Sequence, residues 1–129
     1  MGIASTLDHK RNLLLTTAEG AVTYEEIYNH LIEERKAIGL GYPEIIDSRT
    51  ATPDLTAGEV RALVMFLRGL GNVNKLGPTA FIVGTAVAFG VIRMAGTLCE
   101  DLCAIAPFWK EENALTWIAQ GAPMEFIGA

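Results

Sequence analysis

Gly77-Pro-Thr-Ala-Phe-Ile-Val-Gly-Thr-Ala-Val-Ala-Phe-Gly-Val-Ile-Arg-Met-Ala-Gly-Thr-Leu98 carries a single charge, Arg93. Its first part, Ala80-Phe-Ile-Val83, is β-branched and aromatic, as strands prefer. Gly84-Thr85 supplies turn and capping chemistry, and the residues from Ala86 to Cys99 read as a helix that is apolar on nearly every side. A single membrane span is a poorer fit: Pro78 opens the run, Gly84-Thr85 interrupts it and Arg93 sits in its C-terminal third. Strand, tight turn, helix is the reading adopted. A helix of this kind has to be covered by a core, a second subunit or a ligand.

Working outward, the segments about 2–8 and 12–18 are apolar strands around Asp8-His-Lys-Arg11, a β-hairpin. Thr23-Tyr-Glu-Glu26 is a capping box, and the helix it opens places Ile27, Leu31, Ala37 and Ile38 inward and Glu33, Glu34, Arg35 and Lys36 in water, with Gly39 as its stop. Pro43-Glu-Ile-Ile-Asp47 predicts a third strand. The loop Ser48–Leu55 then leads to a second capping box, Thr56-Ala-Gly-Glu59, and a helix to about Leu70 with Val60, Leu63, Val64, Phe66 and Leu67 inward. After the linking loop Gly71–Gly77 come the strand at 79–83, the helix at 86–99, a fifth strand over 102–108 and a helix over 110–118. The order β-β-α-β-α-β-α-β-α implies an α/β fold, a mixed and largely parallel five-stranded sheet with four helices and right-handed crossovers. The whole chain, residues 1–129, reads as one domain.

Composition narrows the function classes. The chain has 129 residues, 50% of them hydrophobic and 19% charged, which places it among globular proteins rather than disordered ones. Its net charge of −5 and its lack of any Lys/Arg cluster larger than the pairs Lys10-Arg11 and Arg35-Lys36 disfavour nucleic-acid binding. The N-terminus lacks the basic start and apolar stretch of a signal peptide, so the cytoplasm is the expected location. Cys99 and Cys103 have the wrong spacing for common zinc or redox motifs, and neither His9 nor His30 is near them in sequence. No metal or cofactor is expected. His9 belongs to a hairpin turn and His30 to the polar positions of the first helix, so no nucleophile, base and orienting group can be assembled.

The element order, strand three ending in Ile-Ile-Asp-Ser-Arg49, Thr56-Ala-Gly-Glu-Val-Arg-Ala-Leu63, Phe89-Gly-Val-Ile-Arg-Met94 and Glu112-Asn-Ala-Leu-Thr-Trp-Ile118 together resemble the bacterial SpoIIAA-like family, over roughly residues 2–119. That family belongs with the STAS and Sec14-type lipid-binding modules. The resemblance implies the fold strongly and the activity weakly. In STAS anti-sigma-factor antagonists a phosphorylatable Asp-Ser-Ser-Gly opens the second helix. Pro53-Asp-Leu-Thr-Ala-Gly58 keeps an acid, a hydroxyl and a glycine but not that motif, which makes Thr56 a candidate switch as well as an ordinary N-cap, with Ser48 a second hydroxyl candidate.

Parallel sheets bind ligands at the carboxyl ends of their strands. That edge collects Asp47, Ser48 and Arg49, then Gly84 and Thr85, with Phe89 one turn into the helix they open, then Phe108, Trp109 and Lys110. Gly84-Thr-Ala could offer backbone N–H groups to an anion but lacks a nucleotide-binding glycine pattern. Arg93 is expected either to pair with an acid, Asp47 first, or to face a ligand or partner. The resulting expectation is a non-enzymatic regulatory or protein-interaction module. A protein that binds a small apolar ligand or lipid is the alternative, and an enzyme ranks third. A homodimer through the helix 86–99 would cover its outer side, with the small residues Ala86, Ala88, Gly90, Ala95 and Gly96 allowing close approach and Val91 facing out. A pocket lined by that helix would favour the ligand-binding alternative.

Overall fold

Among the described residues five strands form: β1 (Gly2–Asp8), β2 (Leu13–Thr23), β3 (Glu44–Asp54), β4 (Thr79–Val83) and β5 (Ile105–Phe108). They make one sheet in the order β1-β2-β3-β4-β5, antiparallel between β1 and β2 and parallel from β2 to β5. The computed structural model describes residues 2–71 and 76–123, so the middle of the loop expected over Gly71–Gly77 lies outside the described residues. In the hairpin turn the Asp8 carboxylate accepts the backbone N–H groups of Lys10 and Arg11, and Asn12 takes a positive φ of 50°. Asp8 is held below the usual carboxylate range, chiefly by its hydrogen bond from the Arg11 side chain.

The helices are α1 (Tyr24–Asn29), a π-helical segment (His30–Arg35) that runs on without a break into α2 (Lys36–Ile38), α3 (Ala57–Gly71), α4 (Ala86–Leu98) and α5 (Glu111–Ala119). Counting α1 to α2 as one helical body gives the four anticipated, in the anticipated α/β order. The caps explain where they begin. Thr23 and Glu26 form a complete capping box, Thr56 and Glu59 exchange the same reciprocal pair of bonds, and Thr85 accepts from the Ala88 N–H at 3.1 Å. Gly84 makes the turn into α4 possible, since a Cβ there would sit 2.3 Å from the Arg49 carbonyl oxygen.

Alternation along the strands divides the sheet into two faces. Ile45, Ala80, Ile82 and Ala106 pack on Ala114 and Trp117 of α5. The opposite face lies under α1 to α2, α3 and α4, where Ile46, Ala18 and Ile27 form one cluster and Val64, Ile105 and Ile92 another. Arg68 of α3 donates to Asp101 and to the Leu98 carbonyl, tying α3 to the end of α4.

Several expectations are corrected. β2 and β3 are longer than expected, and the stretch 48–54, anticipated as loop, continues β3 alongside β2 from Thr50↔Glu19 to Asp54↔Thr23. The reason is a bulge: three steps on β3, from Asp47 to Thr50, oppose two on β2, from Thr17 to Glu19. The extra residue flips the inward parity, and the apolar alternation that marks a strand breaks there. Past Ser48, where β4 ends, β3 has a free edge, and that is where Pro53 is tolerated. β5 begins at Ile105 rather than 102. In the first helical body Ala37 is exposed, whereas Arg35 and His30 are buried.

Candidate functional site

Glu44 opens β3 and Thr79 opens β4, and the two are register partners, so their side chains leave the sheet on the same face about 4.8 Å apart. Glu44 is completely buried. A carboxylate in such a place must be paired and hydrogen-bonded. Its Oε2 accepts from Thr16 Oγ1 at 2.5 Å and from His30 Nε2 at 2.8 Å, while Arg35 Nη1 stands 3.4 Å from Oε1. Because the Thr16 proton goes to Glu44, the Ser5 hydroxyl donates to Thr16 in turn, at 2.8 Å. His30 Nδ1 meets Glu34 Oε1 at 3.1 Å. Each ring nitrogen therefore faces a carboxylate, an arrangement that calls for a donor on both, the imidazolium.

Charge and burial compete in this cluster. Burial pushes His30 toward the neutral form, yet the hydrogen bond and charge of Glu44, joined by those of Glu34, outweigh it and raise its pKa above the ordinary value. Burial likewise opposes ionisation of Glu44, and the hydrogen bond from His30 with the charge of Arg35 holds it below the ordinary carboxylate value.

The π segment is what brings the cations together. Five residues of α-helix turn through about 500°, leaving positions i and i+5 about 140° apart. The wider π turn, with the Lys36 N–H donating to the Leu31 carbonyl, stacks i+5 close above i, so His30 and Arg35 share the inward face. Arg35 Nη2 then donates to the Gly77 carbonyl at 2.9 Å.

This cluster forms one end of a cavity of about 160 Å³ between the sheet and the helices. Elsewhere the wall is apolar except at Ser48: Ile46 and Phe81 from the sheet, Leu63 and Val64 from α3, Ala88 and Ile92 from α4. Arg35, Glu44 and Thr79 line it too, and three of their buried atoms, Arg35 Nε, Glu44 Oε1 and Thr79 Oγ1, have no hydrogen-bond partner among the described residues. Buried polar atoms are nearly always satisfied, so three orphans around one cavity are the most informative feature of the molecule.

The residues picked out from sequence lie mostly outside this cavity. Asp47 and Arg49 pair with each other through two side-chain bonds of 3.0 and 2.6 Å, and the Arg49 hydrogen bond keeps Asp47 below the usual carboxylate range. The expected pairing of Arg93 with Asp47 is absent; Arg93 is exposed, and among the described residues no acid pairs with it. Ser48 donates to the Ile82 carbonyl at 2.8 Å within the sheet and also lines the cavity. Thr56 is exposed and engaged with Glu59 as a cap. Thr85 is the N-cap of α4, and Phe89 stacks on Trp109 with ring centres 5.0 Å apart and planes 7° from parallel. Val91, expected to face out, lines the cavity, and Gly96, expected at a helix–helix contact, is buried against β5.

Sequence reasoning missed Glu44, His30, Arg35 and Thr79. The available signal was an acid between Pro43 and Ile45-Ile46, in a strand whose central place in a parallel sheet calls for apolar residues. Among the described residues no group of three or more His, Cys, Asp and Glu is placed to hold a metal ion. The Cys99 thiol is pushed up by its hydrogen bond to Cys103 and by burial, and Cys103 is lowered by the same bond. No described helix is long and apolar enough to cross a membrane.

Comparison with solved structures gives a SpoIIAA-like fold. The chain is similar to an uncharacterised protein of the DUF3478 family from Shewanella loihica, described as having a SpoIIAA-like fold, with a TM-score of 0.59, 20% identity, and coverage of 90% of this chain and 93% of that one. No protein-family model matches the chain, and no curated protein does.

Proposed function

We propose that the protein is a non-enzymatic binding module of the STAS-like type whose cavity takes a small, largely apolar molecule. The observation that carries this reading is the cavity, apolar over most of its wall and bounded by α4, the helix whose burial the sequence left unexplained. Its volume, about 160 Å³, is comparable to that of an engineered apolar cavity of about 150 Å³ that binds benzene. The cluster at its end favours binding over chemistry, since both His30 ring nitrogens are engaged by carboxylates and neither is free to act as a base. Thermal unfolding with and without toluene tests it. The wild type should gain stability as toluene rises, following mass action, while Ala88→Leu and, independently, Val64→Phe should fill the space and abolish the gain. An unchanged transition in the wild type, or equal gains in all three proteins, would contradict the reading.

The outer face of α4 supports a second proposal, an interface with a second copy of this chain. Val87 is 68% exposed and Met94 and Leu98 are each 37% exposed, and they run along one side of the helix with Gly90 between them, where an added Cβ would meet nothing within 4 Å. Such a stripe lets two helices approach closely. Sedimentation should give a dimer at tens of micromolar and a monomer for Met94→Glu; a wild-type monomer would end this reading.

A further inference from the structure

We infer that the ligand carries an uncharged hydroxyl group and binds with it at the Glu44 end of the cavity, an assignment that rests on the cavity being a ligand site. The three unsatisfied atoms define the complement. Glu44 Oε1 is an acceptor, Arg35 Nε–H is a donor, and the Thr79 hydroxyl can donate. A hydroxyl group has one hydrogen to donate and two lone pairs to accept with, which matches one acceptor and two donors.

Charged head groups match less well. A carboxylate has only acceptors, so it would leave Glu44 Oε1 unpaired and set a second negative charge against a fully buried one. An ammonium group has only donors, so it would leave Arg35 Nε unpaired and face the Arg35 and His30 cations. The cluster is already close to neutral before any ligand enters, because the two cations are opposed by Glu44 and by Glu34 on the outer nitrogen of His30. Thr79 and Arg35 are 3% and 5% exposed, so bulk water does not compete freely for these atoms.

Four probes on one ring separate the possibilities: toluene, benzyl alcohol, benzoate and benzylamine, each titrated by calorimetry against the whole protein and against Thr79→Val, which keeps the shape of the side chain and removes its hydroxyl. Benzyl alcohol should bind the wild type most tightly of the four. Thr79→Val should weaken benzyl alcohol about fivefold, the value of one hydrogen bond, and leave toluene within about twofold. Benzoate or benzylamine binding as tightly as the alcohol, or toluene and the alcohol weakening equally in the variant, would overturn the head-group assignment while the cavity remained a binding site. An alcohol no tighter than toluene in the wild type would do the same. Failure of all four to bind would overturn the ligand-binding reading itself.

Discussion

Two helical walls close over the same face of the sheet and follow different rules. α4 is a regular helix: Ala88, Ile92 and Ala95 recur at steps of four and three and line the cavity, while Val87, Gly90 and Met94 face away. The body from α1 to α2 starts regularly from its capping box, then takes a π turn over His30–Arg35 that rotates everything after it. Arg35, read from the sequence as facing water, is carried inside beside His30, whose place three residues after Ile27 already puts it on the inward side. The first wall owes its order to apolar packing and the second to an ion cluster. Because the π turn has no stabilising pattern of its own in the sequence, Glu44 is what makes it worth forming: the two cations gather around that carboxylate.

The sharpest way to break the second wall is to remove its anchor. Glu44→Gln leaves Arg35 and His30 buried without their counter-charge, and a loss of about 3–5 kcal/mol in urea denaturation is expected, with the cations driven out of the cavity. A loss below about 1 kcal/mol would show that Glu44 does not hold the π turn in place.

The first wall has its own weak point. A Cβ on Gly96 would lie 2.3 Å from the Ile105 carbonyl oxygen, so Gly96→Ala must push α4 off β5 and should cost about 1–3 kcal/mol in the same assay. Gly90→Ala, nearly two turns earlier on the open side, meets nothing within 4 Å in the single chain and should instead stabilise the monomer by about 0.5–1 kcal/mol. Equal effects at the two glycines would contradict the assignment of inner and outer faces.

Titration separates the walls more gently. The raised His30 contributes stability that is complete below its unfolded value of 6.5 and is lost as pH rises through the higher folded value. The lowered Glu44 contributes stability that is complete above its unfolded value of 4.5 and is lost as pH falls through the lower folded value. The contribution of the pair is therefore greatest between pH 4.5 and 6.5 and declines on either side. Urea midpoints measured from that range upward should fall on the alkaline side in the wild type, and His30→Gln should flatten that fall; a wild-type profile without it would remove the imidazolium from the cluster.

The same contrast explains what could be read from the amino-acid order. β4 and α4, the three threonine caps at Thr23, Thr56 and Thr85, and the inward set Val60, Leu63 and Val64 were legible because each rests on local chemistry or an unbroken period. The latter half of β3 was not, because the bulge at Asp47–Thr50 flips its parity where Pro53 already argues against a strand. The candidate site was almost wholly hidden. Glu44, His30, Arg35 and Thr79 come together from the first helical body and the starts of two strands, and their meeting depends on sheet register and on a helical turn that periodicity does not encode. The residues the sequence did bring forward, Asp47, Arg49, Thr85, Phe89 and Trp109, form paired, capping and stacked contacts near the ends of the strands.

The cavity with its single polar end is the centre of this account, and the position of a bound probe tests it most directly. Nuclear Overhauser contacts from benzyl alcohol in complex with the whole protein should connect its ring to the methyl groups of Ala88 and Ile92 and its CH2 to the methyl group of Thr79. Contacts confined to Val87 and Met94 on the outer face of α4, or a ring lying against Thr79 with the hydroxyl pointing toward Ala88, would contradict it.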